Sequence, residues 1–249
     1  MATGSALLEV DGVARSFGET RALVSCQLRG VGGTIHSILG ENGSGKSTLV
    51  KILSGVLAPD RGRVALAGSA VKRFSPTAAR AAGVATVFQD LLNVSSRSVV
   101  DNVLLGRPGW LRRSATRRQE RNFGREQLAR LGLADVDLDA PLGACSLPVQ
   151  QLVAIARALG CSPRVLILDE ATSALDVGSC EQLFSVLRQE LTRNVLVLFI
   201  SHRMEEVVSL ADAVTVLANG VSVKSLTRSE ISEEHLLDVM SVAGVAGRG

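Results

Sequence analysis

Gly40-Glu41-Asn42-Gly43-Ser44-Gly45-Lys46-Ser47-Thr48 is the stretch whose reading decides the fold. It fits G-x-x-x-x-G-K-[ST], a pattern in which each fixed position answers to a phosphate. Glycines at 40, 43 and 45 let the backbone wrap closely, so that consecutive N–H groups point inward at anionic oxygens. A helix starting near Ser47 aims its positive end at the same anion. Lys46 then reaches the outer phosphates, the Ser47 hydroxyl is suited to ligate Mg²⁺, and Thr48 adds a hydroxyl near the inner phosphate. Gly40, Asn42, Gly43, Ser44, Gly45, Lys46, Ser47 and Thr48 are therefore the expected nucleotide contacts. The context suits the motif, because residues 34–39 read as a buried strand and residues 47–53 as a helix.

The second chemical feature lies downstream. Val165-Leu166-Ile167-Leu168-Asp169-Glu170 is an apolar strand ending in two carboxylates. In an open α/β sheet, ligands bind at the carboxyl ends of strands, which brings this pair beside the phosphate loop. Adjacent strand residues point to opposite sides. Asp169 is thus expected to hold Mg²⁺, and Glu170 to face the water that attacks the terminal phosphate.

Outward from these two anchors, residues 7–14 and 23–29 read as short strands joined by a turn at Gly18 and Glu19. Further strand signals fall at 64–66, 85–88, 195–200 and 213–217, and Asn219-Gly220 is a hairpin turn before a strand at 221–223. Between about 99 and 160 the pattern turns helical. The expected fold class is α/β: a mainly parallel sheet around the phosphate loop, an antiparallel β subdomain at the N-terminal end, and an inserted helical subdomain. The expected division is a core of about 1–88 and 162–249, with the helical insertion at about 89–161.

Bulk properties narrow the rest. With 249 residues, 46% of them apolar and 20% charged, the chain can bury a substantial core. Its longest apolar runs, such as 195–200, fall far short of the roughly 20 residues a membrane span needs. No basic start or long apolar segment opens the sequence, so no secretory signal is expected and the chain is expected to stay in the cytoplasm. The net charge of +3 gives no reason to expect nucleic acid. Cys26, Cys145, Cys161 and Cys180 lack metal-like spacing and read as reduced, small apolar residues.

Taken together, these segments resemble the nucleotide-binding domain of ABC transporters over nearly the whole chain. GENGSGKSTLVKILSG (40–55) matches that family's phosphate loop, and Val87-Phe88-Gln89-Asp90 resembles its Q-loop. Residues 150–159 resemble the tail of its signature segment, 168–176 its strand-end acids and D-loop, and Ile200-Ser201-His202 its switch histidine. The resemblance implies ATP and Mg²⁺ as ligands, and a dimer of ATPase domains driving membrane permease subunits at the cytoplasmic face of the membrane. A periplasmic or extracellular solute-binding protein would be an indirect partner. By the same resemblance Gln89 would contact Mg²⁺ and sense the membrane partner, and His202 would contact the γ-phosphate. Asp176 would shape the dimer interface, and Phe17 would stack on adenine. Residues 40–55 and the SHRMEEV run at 201–207 are similar to the ATPases of bacterial simple-sugar importers of the ribose and xylose type. Those proteins usually carry two such domains in tandem, so the resemblance implies that the chain would be half of such a protein or a half-size subunit. An importer of another small solute, or a soluble ABC ATPase outside transport, is the alternative; the long insertion usual in the latter is not visible.

One segment departs from the family. The signature normally begins L-S-G-G-Q, whereas here the aligned residues are Cys145-Ser146-Leu147-Pro148-Val149. Ser146 keeps a hydroxyl for the γ-phosphate bound by the opposite subunit. Both glycines are lost, and Pro148 has no N–H to give. The arginine-rich stretch (Arg112, Arg113, Arg117, Arg118, Arg121, Arg125) reads first as a solvated face and alternatively as a contact for lipid headgroups or the membrane subunit. Trp110, the only tryptophan, reads as ordinary packing.

Overall fold

A computed structural model describes residues 6–107 and 116–246. Trp110, Arg112 and Arg113 lie outside the described residues.

The central strands explain the architecture. β3 (Ile35–Leu39), β7 (Val165–Asp169) and β8 (Leu196–Ile200) are buried at every position, as strands are when both sheet faces are covered. Alternate residues feed two different cores. Leu166, Leu168, Val197 and Phe199 pack with α3 (Val99–Leu104), α5 (Leu147–Gly160) and α6 (Val177–Leu191) on one face. Ile167, Leu198 and Ile200 pack with Leu49, Val50 and Ile52 of α1 (Lys46–Leu53) on the other.

β3 runs parallel to both β8 and β9 (Ala213–Ala218), and the parallel set continues through β7 to β6 (Val84–Val87). On the other side β10 (Val221–Thr227) returns antiparallel along β9. The turn between them, Asn219-Gly220, has φ values of 49° and 77°, the two left-handed positions that a tight hairpin needs. A single parallel pairing, Val221 with Ser25, links β10 to β2 (Thr20–Val31). From there β1 (Ala6–Phe17), β4 (Arg61–Leu66) and β5 (Ser69–Ala70) continue antiparallel to the sheet edge. The order is β5-β4-β1-β2-β10-β9-β3-β8-β7-β6, a mixed α/β sheet as expected.

β1 and β2 each hold 12 residues, well beyond the spans expected from sequence. Register shifts along β1, between Val10 and Val13 and on to Ser16, break the in–out alternation that marks a strand. Between β6 and β7 the described chain is helical: α3, α4 (Arg117–Arg130) and α5. Thr116 caps α4 in a reciprocal pair with Gln119. Most of the arginines described here are engaged within the chain. Arg117 pairs with Asp101 at 2.9 Å, Arg121 pairs with Asp139, and Arg125 donates to the Ala134 carbonyl at 2.8 Å. Of the remaining helices, α2 (Pro76–Ala81) precedes β6, whereas α7 (Met204–Leu210) and α8 (Glu233–Ala246) flank β9 and β10, with Val207 and Leu236 in their shared core. Among the described residues no helix is long and apolar enough to cross a membrane.

Candidate functional site

The loop between β3 and α1 is shaped by close approach. Gly45 has φ 107°, and a Cβ there would lie 2.5 Å from the Ala22 carbonyl oxygen. A Cβ on Gly40 would lie 2.2 Å from the Leu217 carbonyl oxygen. The loop is thus pressed between β2 and β9, and only glycine fits at either position. Lys46, the first residue of α1, folds back over the loop. Its Nζ donates to the carbonyl oxygens of Gly40 at 2.7 Å and Glu41 at 2.8 Å. Burial holds its ammonium below the usual lysine range, while Glu170 and Asp169 oppose that shift. Ser47 is exposed and Thr48 half-buried in the first turn, where backbone N–H groups have no intrahelical acceptor. The Ser44 hydroxyl is buried with no hydrogen-bond partner.

Asp169 closes β7, pairs with Ile200 of β8 and is 5% exposed. Burial, and secondarily the Glu170 charge, push its carboxyl up to about 6, against the opposing pull of Lys46 and Lys51. Glu170 does not continue the strand. It sits at φ 50°, a left-handed conformation that costs a non-glycine residue on the order of 1 kcal/mol or more. Its N–H donates to the Ile200 carbonyl at 2.9 Å, and its own carbonyl accepts from the Ser173 N–H at 3.2 Å. The two carboxylates therefore separate by a backbone turn, not by strand alternation.

Gln89 and His202 meet at Glu170. Gln89 Nε2 donates to Glu170 Oε2 at 3.0 Å, and His202 Nδ1 lies 3.6 Å from Oε1. The carboxylate is thus bracketed, one neighbour on each oxygen. Beyond Gln89, a cleft of about 440 Å³ is lined by Phe88, Leu92, Leu105, Arg80 and Arg157. Lys46, Asp169, Glu170, Gln89 and His202 form one constellation.

Three expected residues lie outside that constellation. Ser146 caps α5 through its backbone only; its side chain makes no capping hydrogen bond, and it is exposed. Leu147 beside it is 64% exposed, and Pro148 occupies the first turn, where it removes one of the N–H groups a helix start offers an anion. Phe17 is half-exposed at the β1–β2 turn, with the Arg15 guanidinium 5.2 Å from its ring centre. Asp176 is the N-cap of α6, accepting from the Ser179 N–H at 2.8 Å, and that bond holds its carboxyl below the usual range.

The structure adds residues that sequence reading did not single out. Glu206 of α7 is buried and accepts from the Ser201 hydroxyl at 2.6 Å, the Thr172 hydroxyl at 2.9 Å and Arg203 Nη1 at 3.1 Å. A Glu in the first turn of an amphipathic helix reads as a solvated, dipole-favoured position. No local signal shows that it is buried.

The residues suit a polyphosphate with a divalent cation. Lys46, the unengaged Ser44 hydroxyl and the first-turn N–H groups supply donors. Two adjacent carboxylates against one ammonium leave negative charge for a cation, and a hydroxyl with a carboxylate oxygen is a hard-ion ligand pair.

Known proteins share much of this sequence and this fold. The family described as ABC transporter matches residues 25–173. A ribose import ATP-binding protein of Mesorhizobium japonicum is 42% identical over 234 residues, covering 94% of this chain and 45% of that protein. The chain thus spans about half the length of the curated relatives it matches. Among solved structures, a nucleotide-free ATP-binding cassette from an ABC transporter superposes with a TM-score of 0.79 at 24% identity, over 95% of this chain and 96% of the other. A dimeric ATP-binding cassette in a post-hydrolysis state bound to ADP and Pi gives 0.81 at 23% identity, over 89% and 98%.

Proposed function

We propose that this chain, which belongs to the ABC transporter family, binds MgATP at the loop of residues 40–48 and hydrolyses it to drive import of a simple sugar. The observation that carries the reading is the convergence of Lys46, Asp169, Glu170, Gln89 and His202 at the mouth of a glycine-shaped phosphate loop.

In this reading Lys46, the loop amides and Ser44 hold the phosphates, and Phe17 packs on the base. Ser47, Asp169 and Gln89 would hold Mg²⁺, which when bound neutralises charge developing on the phosphate oxygens. Asp169 must then be ionised, so cation binding would lower its raised pKa. Glu170 takes the water: its carboxylate accepts a proton or orients the O–H bond, with Gln89 hydrogen-bonded to one of its oxygens and His202 beside the other. His202 also donates toward the terminal phosphate.

The domain division follows the same reading, with about 89–161 acting as one helical insertion on a core of about 1–88 and 162–249. A membrane permease at the cytoplasmic face would dock at the cleft beside Gln89, whose apolar walls and two arginines suit an apolar helix bearing a carboxylate. A second ATPase domain would place its signature segment over this chain's phosphates. A solute-binding protein would act on the far side of the membrane. Ribose-type sugar as cargo rests on the relative's name.

The test is hydrolysis by the purified chain. Glu170→Gln keeps the shape of the side chain and removes the charge, so turnover falls by about 10²-fold or more while ATP binding survives. Wild-type turnover in this variant would remove Glu170 from the chemistry.

A further inference from the structure

Glu170 and His202 stand on different loops, one after β7 and one after β8, and their side chains meet only at 3.6 Å. His202 is largely exposed. The bond from the Glu170 N–H to the Ile200 carbonyl joins the two loops only at their base. A single buried carboxylate touches both. Glu206 Oε2 accepts from the Thr172 hydroxyl, two residues beyond Glu170, and from the Ser201 hydroxyl, adjacent to His202. Oε1 accepts from Arg203 Nη1, on the other side of His202. The Ser201 oxygen also accepts from the Arg203 N–H at 3.1 Å. His202 is therefore flanked by two residues that are tied to each other and to Glu206.

The chemistry argues for a purpose beyond packing. A buried carboxylate is costly, and an apolar side chain of similar volume often serves a core better. Glu206 is nonetheless at the protein interior, with Thr172 and Ser201 each only 2% exposed. Its donors come only from the two loops that carry the reacting groups, Arg203 being also the N-cap of its own helix. Two hydroxyls converging on one oxygen give a directional tie that an apolar contact cannot supply.

We infer that Glu206 is a positioning residue, whose carboxylate clamps the loop of Glu170 to the loop of His202 so that the two present a fixed pair to the terminal phosphate. This rests on the ATPase reading above for its catalytic consequence, but not for the clamp itself.

The experiment compares Glu206→Ala, Glu206→Gln and wild type. Glu206→Ala lowers kcat by about 10- to 100-fold, the scale of a misplaced catalytic group. The KM for MgATP stays within about 3-fold, because the phosphate loop is untouched. Glu206→Gln restores most of the activity, since its amide oxygen still accepts both hydroxyls. Adding Ser201→Ala to Glu206→Ala causes no further loss, because both act through one contact. A second readout needs no nucleotide. In the free protein, amide hydrogen exchange at Arg203 and Ser173 speeds up in Glu206→Ala, while exchange in β3 and α1 does not. If Glu206→Ala folds poorly, Thr172→Val and Ser201→Ala each remove one tie and show the same pattern at about 3- to 5-fold in kcat. Unchanged kcat, or a uniform rise in exchange across the sheet with kcat and KM degraded together, overturns the clamp. Absence of ATP hydrolysis in the wild type would instead overturn the ATPase reading, and the exchange pattern at Arg203 and Ser173 would still decide the clamp.

Discussion

Asp169→Asn tests the electrostatics of the site through a sign that a packing argument would not give. Asn has the shape of the carboxylate without its charge. In the nucleotide-free protein the Asp169 carboxyl is pushed up to about 6 from an ordinary value of 3.8, chiefly by burial and then by Glu170. A folded pKa above the unfolded one means the native state holds the proton more tightly. The associated stability is fully present below the unfolded pKa and is lost as pH rises through about 6. Two pKa units correspond to roughly 2–3 kcal/mol between the ionised and neutral forms. Asp169→Asn should therefore be more stable than wild type at pH 8 by up to that amount, or roughly 4–12 °C in Tm for a chain of this size. The advantage should shrink through pH 6 and vanish near pH 4. Thermal unfolding followed by circular dichroism at both pH values reads this directly, without nucleotide. Adding MgATP should reverse the order, since the wild type gains a cation ligand that the variant lacks. A variant less stable than wild type at pH 8, or equally offset at pH 4 and pH 8, would refute the claim that burial of the Asp169 charge outweighs its compensation by Lys46 and Lys51.

The remaining expectations concern the two ends of the bound phosphates. Lys46→Ala removes a charge-assisted donor and should weaken MgATP binding by about 10- to 150-fold, equivalent to roughly 1.5–3 kcal/mol; an unchanged affinity by calorimetry would dissociate the loop from nucleotide. Restoring the signature with Leu147→Gly, Pro148→Gly and Val149→Gln should raise turnover and ATP-dependent dimerisation by about one neutral hydrogen bond's worth or more per donor regained. If the restored protein is no faster and no more dimeric by light scattering, the segment's departure is neutral.

What the sequence disclosed follows from how local each signal is. The phosphate loop is legible because its glycines, lysine and hydroxyls are contiguous, and Gly45 in the structure meets the constraint its type implies, at φ 107°. The turn at Asn219-Gly220 is equally local, and both residues take positive φ. Buried parallel strands announce themselves as unbroken apolar runs. The hairpin of β1 and β2 is less legible, since register shifts scramble its alternation. The parallel bridge from Val221 to Ser25 joins segments nearly two hundred residues apart and leaves no trace in either.

The site shows the same division between local and assembled information. Asp169 and Glu170 are adjacent in sequence, yet strand periodicity gives the wrong reason for their divergence. Glu170 departs because its backbone enters the left-handed region and its N–H is captured by Ile200, a contact that exists only once β7 and β8 are paired. Glu206 is the stronger case. Its neighbours in sequence mark it as a surface residue at a helix start, where a carboxylate is favoured by the dipole. Its partners Thr172 and Ser201 come from two other loops, and each reads as an ordinary small polar residue. Only the folded sheet, by bringing the ends of β7 and β8 side by side, turns three unremarkable side chains into one buried hydrogen-bonded joint. A sequence names groups that react through contiguous spacing, whereas groups that hold them in place are defined by a meeting of distant segments.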